Sequence, residues 1–225
     1  MTNKLILVFT FFALLLMYSF KADKKKKVIF FGDSITQAGV EPKGYISVLK
    51  DMLAKQGITG YELAGAGIGG NKVYDLYLRL EDDVISQSPD VVVIWVGVND
   101  VWHKRSFGTG TDADKFEKFY RAIIKKIEAA HAKVVLVTPA TIGEKNDYSN
   151  ELDGDLNKYS SIIRSIAADK QLPLIDLRKI FTDYEKTNNP ANADRGILTA
   201  DGVHLNDKGN QFVAEQVWTV LKDVK

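Results

Sequence analysis

The chain contains no cysteine. Disulfides, thiolate metal sites and a lipid anchor on cysteine are therefore excluded, and cysteine usage gives no clue to the compartment. Histidine is almost as scarce, with only His103, His131 and His204 present. A multi-histidine metal site would need nearly all of them, and their sequence contexts differ, so neither a metal nor another cofactor is expected. Charge of one sign is also missing. Lys+Arg is 30 and Asp+Glu is 29, a formal net charge of +1, which removes any whole-chain reason to expect a nucleic-acid partner. No internal repeat, low-complexity linker or second-domain boundary is visible. With 45% hydrophobic and 26% charged residues, the composition is that of one ordinary globular domain.

One long apolar run is present. Lys4 precedes Leu5 to Phe20, broken only by Thr10, Tyr18 and Ser19, and Lys21 and Lys24 to Lys27 follow. A basic start and an apolar core shorter than the ~20 residues of a spanning helix read as a secretory signal within residues 1–22. The expectation is export to a periplasmic or extracellular space. The alternative is an uncleaved membrane anchor over residues 5–20, because no clean A-x-A cleavage site exists and the lysines beyond are unfavourable for export. Membrane contact is expected only through this segment, and the folded domain is expected over residues 27–225.

From Lys27 onward, short apolar runs alternate with helical periodicities. Strands are expected at Val28–Phe31, Tyr61–Ala64 (a weaker one), Val91–Val96, Val134–Val137 and Leu172–Ile175. Helical stripes run through Ile46, Leu49 and Leu53; through Phe116, Phe119, Tyr120, Ile123, Ile124 and Ile127, with Thr111 or Asp112 as cap; through Leu152, Leu156, Tyr159, Ile163 and Ile166; and through Phe212, Val213, Val217, Val220 and Leu221, with Asn206 as cap. Such alternation specifies an α/β doubly wound sheet. The longest irregular stretch is expected from Thr182 to Val203.

In an open parallel sheet, ligands bind beyond the carboxyl ends of the strands. There the chain places Gly32-Asp33-Ser34, then Gly65-Ala66-Gly67-Ile68-Gly69-Gly70-Asn71, then Gly97-Val98-Asn99-Asp100. Asp201-Gly202-Val203-His204 comes just before the last helix. A serine hydroxyl needs a base within hydrogen-bond reach, an acid that orients the base, and donors aimed at the oxyanion. Ser34 stands where a strand gives way to a helix, beside that helix's amides. Gly70 can offer an unobstructed N–H, Asn99 a side-chain N–H₂, His204 the base and Asp201 its orienter.

Each residue also has a plainer reading. Ser34 alone could be an N-cap and Asn99 a turn residue. Asp33 reads as a local hydrogen bonder, and His131 as a solvent-facing residue at a helix end. His103 and Trp102 either line the rim of a site or simply pack. Gly65-x-Gly67-x-x-Gly70 is a literal dinucleotide fingerprint and offers the rival reading of a nucleotide-binding oxidoreductase. A dinucleotide site would want the motif on the unit's first strand and an acid at the tip of the next one, where Gly97-Val98-Asn99 stands instead.

Gly32-Asp33-Ser34-Ile35-Thr36, Ala66 to Gly70, Gly97 to Asp100 and Asp201 to His204 occur in order and at plausible spacing over the whole chain after Lys27. In these four blocks the sequence resembles the SGNH hydrolases, the GDSL-type esterases and lipases. The resemblance implies a three-layer α/β/α fold with a five-stranded parallel sheet in the order 2-1-3-4-5. It implies a serine esterase with Ser34, Asp201 and His204 catalytic, and Ser34, Gly70 and Asn99 as the oxyanion hole. Gly65 departs from the family pattern, which often has asparagine early in the second block; this places a supporting hydrogen bond in question. Family substrates span short-chain esters, lipids, acyl-thioesters and acetylated sugars. With no lid-like apolar segment and with Trp102 near the site, a short acyl group on carbohydrate or another small ester is expected, the alternative being a lipase or acyl-thioesterase.

Overall fold

A computed structural model describes residues 24–224; the expected signal or anchor segment lies outside them. Five parallel strands form one sheet: β1 Lys26–Gly32, β2 Tyr61–Gly67, β3 Val91–Trp95, β4 Lys133–Val137 and β5 Leu174–Ile175. Their spatial order is 2-1-3-4-5, as the family resemblance implies. The helices are α1 Ser34–Gly39, α2 Tyr45–Lys55, α3 Val73–Asp83, α4 Val98–Phe107, α5 Ala113–Ala129, α6 Asp153–Lys170, α7 Leu177–Asn188 and α8 Asp207–Leu221.

The layering follows from strand alternation. Along β1, Val28 and Phe30 face one side, where they join Ile46 and Leu49 of α2, Phe181 of α7, and Val213 and Val217 of α8. Ile29 and Phe31 face the other side, with Leu76 and Leu80 of α3, Ile123 and Ile127 of α5, and Ile163 of α6. Both sheet faces are thus covered, which is why β1, β3 and β4 are near-continuous apolar runs. The weaker β2 signal has a physical cause: β2 lies at the sheet edge and only Leu63 of its seven residues is buried.

Register aligns the ends that matter. Gly32 of β1 pairs with Gly67 of β2 on one side and with Trp95 of β3 on the other. The three strands therefore deliver their following loops to one edge. The Asp33 carboxylate caps α1 by accepting from Ile35 N at 3.0 Å, and Asn206 caps α8 by accepting from Gly209 N at 2.9 Å. Both agree with the sequence reading.

Some local expectations need correction. Asp112 is the N-cap of α5, but its side chain makes no capping bond and pairs with Lys104 instead. Leu172 does not start β5; its amide closes α6 on Ala167 O at 2.9 Å, and the strand begins at Leu174. The stretch from Thr182 is not irregular as far as Asn188, because α7 extends that far. Its buried face runs Leu177, Phe181, Glu185, and a carboxylate in the third position hides the periodicity from a hydrophobic scan.

Candidate active site

Ser34 begins α1, two residues past the end of β1. Its Oγ lies 2.9 Å from His204 Nε2. His204 Nδ1 lies 2.7 Å from Asp201 Oδ2. The other Asp201 oxygen accepts from the amides of Val203, at 2.9 Å, and His204, at 2.7 Å. One carboxylate thus fixes both the imidazole and the turn that carries it. Partial burial pushes the Asp201 carboxyl up, but the hydrogen bonds from the His204 ring and from the two amides outweigh it and hold the group below the usual range. An ionised Asp201 accepts from Nδ1–H and leaves Nε2 as the acceptor for a serine proton.

The two other predicted donors come from the neighbouring strands. Gly70 lies three residues past β2, with φ of +75°, a conformation that a glycine adopts without strain. Asn99 lies in the first turn of α4 and is 2% exposed. Its Nδ2 donates to Asn71 O at 3.1 Å, so one amide hydrogen is committed and the second is free to serve a ligand. The bond also ties Asn99 to the residue immediately after Gly70. Among the described residues, the Gly70 amide donates to no protein acceptor. Gly70, Ser34 and Asn99 thus follow the adjacent strands β2, β1 and β3 at one edge of the sheet.

Several residues that support this arrangement were not read from the sequence. Arg79 of α3 donates from Nε to Asn71 Oδ1 at 2.7 Å and from Nη2 to Gly32 O at 2.7 Å and Ala66 O at 3.0 Å. It stitches the ends of β1 and β2 to the Asn71 turn. Asp100 is fully buried, and both of its oxygens face Val73 N, at 3.2 and 3.3 Å. Burial pushes its carboxyl up to about 7. Asp33 is likewise raised to about 7, mainly by burial and further by the Asp100 charge, against the hydrogen bond from Ile35 N. Lys72 is nearly buried and donates to Gly70 O at 3.1 Å. Asp33, Asn71 and Asp100 stand in or beside the motifs read from the sequence, whereas Lys72 and Arg79 had no local signal.

The Asp100 contact decides the rival reading of the Gly65-x-Gly67-x-x-Gly70 motif. The helix after that motif is α3, and its first amide already holds a carboxylate where a pyrophosphate would sit. The motif also belongs to an edge strand. The dinucleotide reading fails on both counts. At Gly65, a Cβ would lie 2.4 Å from Val40 Cγ1, so the room for the family's usual asparagine is filled by a valine here.

Trp102 and His103 stand beside the Ser34 chain. The Trp102 ring centre is 6.4 Å from that of His204 and 5.6 Å from that of His103. Burial and then the Lys72 charge lower the His103 pKa, favouring a neutral ring. His131 lies two residues past the end of α5 and is exposed, in agreement with the solvent-facing reading. Among the described residues no cluster of side chains could hold a metal ion, and no helix is long and apolar enough to cross a membrane.

Comparison with known proteins gives a consistent picture. The sequence model of the GDSL-like lipase/acylhydrolase family matches residues 30–212. A crystal structure of an acetyl xylan esterase, AlAXEase, superposes with a TM-score of 0.85 at 66% identity, covering 86% of this chain and 98% of that one. The acetylxylan esterase of Geobacillus stearothermophilus is 29% identical over 210 residues, 86% of this chain and 93% of that protein. A more distant relative is the isoamyl acetate-hydrolyzing esterase 1 homolog of Rattus norvegicus, 25% identical over 214 residues, 87% of this chain and 81% of that protein.

Proposed function

The chain belongs to the GDSL-like lipase/acylhydrolase family, within which it is an esterase, and we propose that it removes acetyl groups from acetylated xylan-type carbohydrate through an acyl-enzyme on Ser34. The observation that carries the chemistry is the hydrogen-bonded chain Ser34–His204–Asp201 at the carboxyl edge of the sheet. His204 takes the Ser34 proton as Oγ attacks the ester carbonyl. The Ser34 and Gly70 amides and the free Asn99 amide hydrogen hold the oxyanion. His204 then protonates the leaving sugar hydroxyl, and a water activated by His204 releases acetate. Asp201 stays ionised, keeps Nδ1 protonated and offsets the transient imidazolium charge.

Two findings support the substrate class. The relatives at 66% and 29% identity are described as acetylxylan esterases. The Trp102 ring beside His204 offers an amphipathic aromatic surface of the kind that packs against sugar rings. Export fits a polymer substrate outside the cell, in keeping with the basic start and apolar run of residues 4–20.

Acetate release from acetylated xylo-oligosaccharides and hydrolysis of a chromogenic acetate ester provide the test. Both are expected, and Ser34→Ala should lower kcat by about 10³-fold or more, with loss of labelling by a serine-directed phosphonate. Undiminished turnover in Ser34→Ala would sink the mechanism. Failure to deacetylate any glycan, alongside good turnover of long-chain esters, would overturn the substrate class and leave the mechanism standing.

A further inference from the structure

Asp201 and His204 come from an irregular segment, not from a strand end. Between the close of α7 at Asn188 and the start of α8 at Asp207, the chain holds no regular element beyond the isolated bridge of Thr199 with Leu205. Something must hold the segment to the accuracy that proton transfer needs.

Glu144 does this. It follows β4, is fully buried, and its carboxylate accepts three successive backbone amides of the segment: Ile197 N, Leu198 N and Thr199 N, each at 2.7 Å. Three convergent N–H donors on one buried carboxylate form a short-range, charge-assisted clamp. The residues around it reinforce the contact. Glu144 N donates to Asp194 O at 2.9 Å, and Gly143 N donates to Gly202 O at 2.8 Å. Gly202 has φ of +95°, and a Cβ there would meet Gly143 N at 3.3 Å, so the two backbones touch closely at that point.

From the clamp, a continuous path leads to the imidazole. Thr199 is held by its amide on Glu144, and its Oγ1 accepts from Gly202 N at 3.0 Å. Ala200 N donates to His204 O at 2.8 Å. Gly202 lies between Asp201 and the two amides that Asp201 binds. The placement of Asp201 against His204 thus depends on Thr199, and Thr199 on Glu144.

We infer that Glu144 is a positioning residue for the esterase reaction: its carboxylate clamps residues 197–199 and so sets the Asp201–His204 pair in register with Ser34. The inference rests on the reading that His204 and Asp201 serve Ser34. Its effect falls on kcat and not on substrate affinity, because no part of Glu144 reaches the surface where an ester would bind.

The test compares Glu144→Gln, Thr199→Val and Asp201→Asn in the full folded enzyme with a chromogenic acetate. Thermal unfolding and the low-field NMR signal of the His204 Nδ1 proton are followed in parallel. Gln keeps the volume of Glu144 but points an amide N–H₂ at backbone donors, and Val keeps the shape of Thr199 without its acceptor. Below the unfolding temperature, Glu144→Gln should lose roughly 10- to 100-fold in kcat, as misplacement of reacting groups does, with KM within about twofold and the Nδ1 signal broadened or lost. Thr199→Val should do the same more weakly. If Glu144→Gln unfolds, Thr199→Val decides by the same criteria. A lowered melting temperature with unchanged kcat and an intact Nδ1 signal means that the clamp is merely structural and overturns the inference. Full activity in Asp201→Asn overturns the underlying reading, and this inference with it; loss there with full activity in Glu144→Gln overturns this inference alone.

Discussion

In the proposed mechanism Asn99 has two jobs. One amide hydrogen is held by Asn71 O at 3.1 Å, which fixes the orientation of the other. Asn99→Ala should therefore lower kcat by about 10²- to 10³-fold, the usual cost of removing one oxyanion donor, with a small change in KM. Steady-state kinetics on a chromogenic acetate check this, and turnover within twofold of wild type would remove Asn99 from the oxyanion site. The residue was readable from sequence only in company with the other blocks, because asparagine after a strand is by itself a common turn residue. Its partner was a main-chain carbonyl, which no sequence pattern marks. Glu144 was missed for the same reason: its three partners are backbone amides more than fifty residues away.

At the level of elements, the strand ends β1 and β2 and the start of α3 form one unit around Arg79. Its guanidinium donates to Gly32 O, Ala66 O and Asn71 Oδ1 and stacks 4.6 Å over the Phe31 ring. Arg79→Met would leave the two strand-end carbonyls with fewer donors, at a cost of about 1–3 kcal/mol. Through Asn71 it would also loosen Asn99, so kcat should fall together with stability. Urea unfolding and kinetics on the same preparation measure both, and unchanged stability would contradict the stitching role. Elements were legible where periodicity was purely apolar, as in β3, β4 and α5. They were illegible where a buried polar group replaced an apolar one, as Glu185 does on α7, or where a strand lost one face at the sheet edge, as β2 does.

Across the described residues, three buried carboxyls have raised pKa values. Burial comes first for each, taking Asp33 to about 7, Asp100 to about 7 and Glu185 to about 8. The folded state binds these protons more tightly than the unfolded chain. Their contribution to stability is therefore fully present near pH ~4 and is lost as pH rises through ~7 to ~8. Asp201, Asp176 and Asp90 are shifted the other way; their contribution is present above pH ~4 and lost as pH falls below it. The melting temperature should thus be highest near pH ~4 and should fall between about pH 4 and pH 8. Asp33→Asn keeps the oxygen that caps α1 and should flatten part of that fall. Calorimetry across this range checks both, and a melting temperature independent of pH in wild type would contradict the burial argument.

The sequence by itself determined the class of the sheet, the two-sided burial of its central strands, and the residue types able to perform acyl transfer. These are local properties: an apolar run, a helical stripe, a serine after a strand, a histidine three residues after an aspartate. Strand order entered only through the four blocks read as a family pattern. Tertiary structure alone decided that the second glycine motif faces a carboxylate and not a phosphate, because Asp100 reaches Val73 from the first turn of α4. It alone placed Ser34 and His204, 170 residues apart, at 2.9 Å, and placed Glu144 beneath the segment that carries the histidine. Contacts of that kind depend on which backbone groups remain unpaired once the sheet has formed, and this is a property of the folded chain and not of any stretch of it.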